Sequence, residues 1–118
     1  MLSTPHKVML YSLGQCYKQL NKRFEHAPLD VAISKVTFIE TLLSSGLVGK
    51  TERAVYKNLE YLERKKLILY TRKELRFTER GYKLFLLLQH GVLPYIRHEE
   101  FWATHLPDNN KLQTRLKR

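Results

Sequence analysis

Apolar residues recur three and four positions apart along most of this chain, the spacing that gathers them on one side of an α-helix. Met9, Leu13, Cys16, Tyr17, Leu20 and Phe24 share such a face, and Ser3 or Thr4 ahead of Pro5 offers a capping hydroxyl and a first-turn proline, so a helix is predicted over residues 5–23. Gly14 either weakens that helix or marks a close approach by another. Residues 29–33 alternate well enough for a short strand. Ser34 can cap a second helix carrying Val36, Ile39, Leu42 and Leu43, which Ser44, Ser45 and Gly46 end, and residues 46–50 read as a tight turn.

The third helix, residues 50–66, is the most clearly two-sided. Thr51 is the expected N-cap, and Glu52 suits the positive end of the helix dipole. Val55, Leu59, Leu62 and Lys66 fall in one arc and form the expected buried seam, while Arg53, Lys57, Glu60 and Arg64 line the opposite side, flanked by Tyr56 and Tyr61. Residues 67–71 and 75–78 suit strands and read as a β-hairpin with a charged tip of Arg72, Lys73 and Glu74. Thr78 caps a fourth helix that runs to about Gln89. Its run of five apolar residues, 84–88, covers more than one face, which implies burial against a second subunit. Beyond Gly91 and Pro94, residues 95–106 predict a further short helix with Phe101 and Trp102. Residues 107–118 read as a flexible basic tail.

The pattern therefore predicts one mainly α domain with a small β-hairpin, an α+β fold, spanning residues 1–106 with its terminal helices used for dimerisation. Composition adds a partner. With 21 Lys and Arg against 11 Asp and Glu, the formal charge is +10 and the pI is near 9.9, a surplus most simply explained by a polyanion. The surplus is densest in residues 51–90, which hold 10 basic and 5 acidic groups. The longest apolar run falls far short of the roughly 18 residues that span a bilayer, and no secretory leader or lipidation signal is visible, so no membrane partner and a cytoplasmic, nucleoid-associated location are expected.

Catalytic patterns are missing: there is no phosphate loop, since GLVGKT lacks the first glycine at the required spacing, and no nucleophile elbow or paired carboxylates. An enzyme is not expected, nor a cofactor. His98 and His105 lie seven apart, but HEEFWATH is not a zinc-binding HExxH, and no metal site is expected. Cys16 reads as a small buried hydrophobe. Tyr95, Phe101 and Trp102 could line a pocket for a small-molecule effector, although packing at a subunit interface is preferred, and nothing else in the sequence supports an effector.

Helix, strand, helix, turn, helix, hairpin, helix is the order of a winged helix-turn-helix. Over residues 30–90 the wording also resembles the MarR and PadR families of transcription regulators: TERAVYKNLEYLERKKLI is similar to their recognition helix, and LRFTERGYKL to the strand, Thr, x, x, Gly passage that leaves the wing. Those families often place glycine where Lys66 stands. The resemblance implies a dimeric regulator whose third helix enters the major groove of double-stranded DNA at a pseudo-palindromic site, with half-sites about 34 Å apart. Arg53 and Lys57 then contact bases, with Tyr56 and Thr51 at bases or phosphate, Lys35 and Lys50 on phosphate near helix N-termini, and Arg64, Arg72, Lys73 and Arg76 on flanking backbone. Leu13, Tyr17, Leu84, Leu87, Leu88, Tyr95, Phe101 and Trp102 are the expected dimer interface. A plasmid or chromosome segregation protein would use the same surface, and a protein-assembly module of the same fold would not need a basic third helix.

Overall fold

The computed structural model describes residues 3–21, 32–46, 48–88, 107 and 109–112. These form a mainly helical fold with a small three-stranded antiparallel sheet. In order they are α1 (Thr4–Asn21), β1 (Ile33–Ser34), α2 (Lys35–Ser45), α3 (Glu52–Arg64), β2 (Ile68–Tyr70), β3 (Glu74–Phe77), α4 (Glu79–Leu88) and α5 (Asn109–Leu112). Among them no helix is long and apolar enough to cross a membrane.

The helix starts form where capping hydroxyls stand. Ser34 accepts the N–H of Thr37 at 3.3 Å and begins α2, and Thr51 accepts that of Ala54 at 3.1 Å and begins α3. α2 ends at Gly46, which adopts a left-handed φ of 67°. α3 ends in the same conformation without a glycine: Lys66 has φ 61°, its N–H reaches the Glu63 carbonyl, and the N–H of Leu67 reaches that of Leu62 at 3.0 Å. That hydrogen-bond pair is a Schellman closure, and the buried Leu62 and Leu67 supply its usual apolar contact. Lys66 is thus exposed and outside the helix, which corrects its assignment to the buried seam. The seam itself is Val55, Leu59 and Leu62, all fully buried.

The hairpin closes between Tyr70 and Glu74. Its tip lacks glycine, and Thr71 does the work instead: its hydroxyl accepts the N–H groups of Lys73 and Glu74 at 3.3 and 3.2 Å, while its own N–H donates to the Glu74 carbonyl. Glu74, expected at the tip, is the first residue of β3. β3 is the central strand, pairing with β2 through Leu69 opposite Arg76 and with β1 through Ile33 opposite Leu75. Pairing with β1 continues through the Lys35 N–H, which donates to the Lys73 carbonyl at 2.9 Å, so the start of α2 is fixed to the hairpin tip.

The core gathers around α1, which is buried nearly all round. Tyr17 stacks on Phe77 with ring centroids 5.0 Å apart, and Phe85 lies 5.8 Å from Phe77. Gly14 is where α1 and α4 meet, because a Cβ there would occupy the Phe85 ring. Gly81 has a similar role, since a Cβ would strike the carbonyl of Leu67; that close approach explains why glycine stands three residues after Thr78. Cys16 is a free, fully buried thiol whose pKa burial pushes up. At the other end, Asn109–Leu112 are not frayed: they form a helical turn, the Lys111 carbonyl accepts the Thr37 hydroxyl at 2.9 Å, and Leu112 is buried in the core. A single leucine finding an apolar hollow overrides a polar local sequence here.

Candidate nucleic-acid interface

α3 lies with Val55, Leu59 and Leu62 against the core and its other side open to solvent. The exposed side carries Arg53, Lys57, Glu60 and Arg64, as their spacing requires. Arg53, Tyr56, Lys57 and Glu60 together line a shallow hollow of about 320 Å³. Lys50 and Thr51 precede it, both exposed, and the Thr51 hydroxyl is engaged as the N-cap. The helix places an arginine and a lysine one turn apart beside an aromatic ring, near the end where its dipole is positive.

Charge on α3 is more balanced than its basic flanks suggest. Glu52, Glu60 and Glu63 offset Arg53, Lys57 and Arg64. Glu63 and Glu60 act on Tyr70 of β2: burial first, then these carboxylates, hold its phenol above the usual range, so it stays a neutral hydroxyl.

Arg72 and Lys73 stand exposed at that tip, and Arg76 is half-buried on β3 opposite Leu69. Lys35 departs from expectation. It is only 8% exposed, with Nζ 5.4 Å from the Tyr56 ring centre and 5.1 Å from that of Tyr70. Its long stem packs where α2 meets the sheet and its ammonium sits between two ring faces, so it braces α3 against the hairpin rather than standing in solvent.

The expected dimer interface is also changed. Leu13 and Tyr17 are each 1% exposed inside the protomer's own core, and the Tyr17 hydroxyl accepts the Phe77 N–H at 3.2 Å, so neither is open to a second copy. Their helix is apolar on more than one side because the same chain covers it. Leu84 and Leu88 are half-buried against the core, and Leu87 is 70% exposed. Tyr95, Phe101, Trp102, His98 and His105, like the expected helix over residues 95–106, lie outside the described residues. Among the described residues no three His, Cys, Asp or Glu side chains converge as a metal site.

Two arrangements escaped the sequence. The Lys35 brace joins residues distant along the chain and leaves no local signal. A second hollow of about 370 Å³ lies beside α4, where Arg80, Lys83, Leu84 and Leu87 face the end of α3. Their spacing of three, one and three residues was a visible signal of a shared face. No protein-family model, curated protein or solved structure matches the chain.

Proposed function

We propose that the protein is a winged helix-turn-helix that binds double-stranded DNA sequence-specifically, as a transcription regulator, with α3 in the major groove and the β2–β3 hairpin against neighbouring backbone. The order α1, β1, α2, α3, β2, β3, α4 with β3 between β1 and β2 supports this reading. So does the net charge of +10. The observation that carries it is the exposed Arg53 and Lys57 beside the half-buried Tyr56 on the N-terminal half of α3, backed by α2 and flanked by Lys50, Arg72 and Lys73.

A major groove about 12 Å wide admits one helix, and the residues near that helix's N-terminus reach the base edges. Arg53 is suited to the paired acceptors of guanine, and Lys57, one turn on, to a second base or an adjacent phosphate. Because α3 carries as many carboxylates as cations, non-specific attraction falls mainly to Lys50 and the hairpin tip, while α3 discriminates. Glu60 closes the contact after about two turns, since a carboxylate against phosphate is repulsive.

Fluorescence anisotropy on a duplex selected by the protein and on a scrambled duplex tests the assignment. Arg53→Ala and Lys57→Ala should weaken the selected duplex by about 1–3 kcal/mol more than the scrambled one. Equal losses on both would reduce these side chains to phosphate contacts.

A further inference from the structure

We propose that the trough between the C-terminal end of α3 and the outer face of α4 is a docking site for an acidic, apolar segment of a partner protein. α4 contributes Arg80, Lys83, Leu84 and Leu87, at the spacing of one helical face. The far wall is Tyr61 and Lys65, one turn apart at the end of α3, with Leu67 just beyond. Three cations thus surround an apolar floor, and no carboxylate lines the trough among the described residues. Leu87 stands 70% exposed at its edge. The Tyr61 ring is itself held in place, stacked on His6 at 4.0 Å with the planes 3° apart.

The floor and the rim together select the occupant. Duplex DNA offers phosphate to the cations but nothing to Leu84 and Leu87. A second copy of this chain would bring the same three cations across the contact, against a net charge of +10 on each partner. A peptide with apolar side chains on one face and carboxylates beside them satisfies both parts, and a groove between two helices is a common seat for such a segment. At about 370 Å³ the hollow holds a few side chains, enough for an anchoring contact. The inference does not depend on the DNA reading.

The test is selection from a random displayed peptide library on the full-length protein, followed by anisotropy with the enriched peptides after labelling. The enriched peptides should combine leucine or aromatic residues with Asp or Glu. Leu87→Glu should weaken them by about tenfold or more, and Val36→Glu, which alters another exposed apolar residue, should not. Lys83→Glu should also weaken them, and replacing the peptide's acidic residues by lysine should restore binding to that variant. Thermal melting checks that Leu87→Glu and Lys83→Glu remain folded, as exposed positions allow. Enriched peptides without acidic residues, or binding indifferent to both Leu87 and Lys83, would overturn the assignment. So would a dimer in light scattering that Leu87→Glu converts to monomer, because the occupant would then be a second copy.

Discussion

The hydroxyl of Thr78 donates to the carbonyl of Lys66 at 2.6 Å and accepts the N–H of Gly81 at 3.0 Å. One side chain therefore joins the end of α3 to the start of α4, and the Thr78 N–H adds a third tie to the Leu67 carbonyl at 3.1 Å. The joint matters because Lys66 holds a left-handed φ of 61°, a conformation costing about 1–2 kcal/mol for a residue with a Cβ. Lys66→Gly should relieve that cost, offset in part by about 0.4–1 kcal/mol of added unfolded-state entropy, for a net gain of about 0.5–1 kcal/mol. Thr78→Ala removes the cap and should cost about 1–2 kcal/mol, with Thr78→Ser close to unchanged. Urea unfolding midpoints measure both, and destabilisation by Lys66→Gly would count against this helix ending.

Tyr17 links α1 to the sheet. Burial pushes its phenol pKa up, so the group acts as a neutral hydroxyl that accepts the Phe77 N–H. Tyr17→Phe keeps the ring stack and leaves a buried N–H without this acceptor, which should cost about 1–3 kcal/mol in urea unfolding. The mass measured by sedimentation should not change, because the side chain faces the protomer's own interior.

His6 makes stability depend on pH. Burial lowers its pKa below the ordinary 6.5, and a hydrogen bond with Asn58 partly restores it. The neutral ring is thus favoured in the folded protein, and the unfolded chain takes up the proton first. The stabilising contribution is complete above 6.5 and is lost as pH falls from there through the lowered folded value. Lys65 and Arg64 already lie 5.5 and 5.9 Å from the centre of the Tyr61 ring on which His6 stacks, so a protonated His6 adds a further cation to the group. Unfolding midpoints measured on both sides of this window should show a smaller pH dependence for His6→Phe than for the unmodified protein.

At the hairpin, Arg72 and Lys73 are expected to neutralise phosphates without reading bases. Each change to alanine should reduce the slope of log affinity against log salt by about 0.9, with little change in sequence preference. An unaltered slope would remove the hairpin tip from the contact surface.

Local rules made most of the described elements legible in advance. Ser34, Thr51 and Thr78 announced helix starts because a hydroxyl cap depends only on its next three residues, and the α3 seam followed from periodicity alone. Gly14 and Phe85 show the limit: the glycine was visible, but its reason lies in a ring from a helix about seventy residues later. The burial of Lys35 was hidden for the same cause. Its position before a helix suggested phosphate, whereas the long-range pairing of β1 with β3 carries it between Tyr56 and Tyr70. Tyr17 and Leu13 were assigned to a subunit interface as part of the apolar face of a terminal helix, and periodicity cannot tell whether the cover for such a face comes from the same chain. Leu112 was hidden in a polar stretch whose packing depends on contacts with α1, α2 and β1.

The central claim, that α3 reads duplex DNA, is tested most directly by sequencing the duplexes that the purified full-length protein enriches from a random pool. A short, defined motif should emerge, and Arg53→Ala should lose preference at guanine within it while retaining non-specific binding. A pool that stays random after repeated selection, or a motif that Arg53→Ala and Lys57→Ala both leave intact, would contradict it.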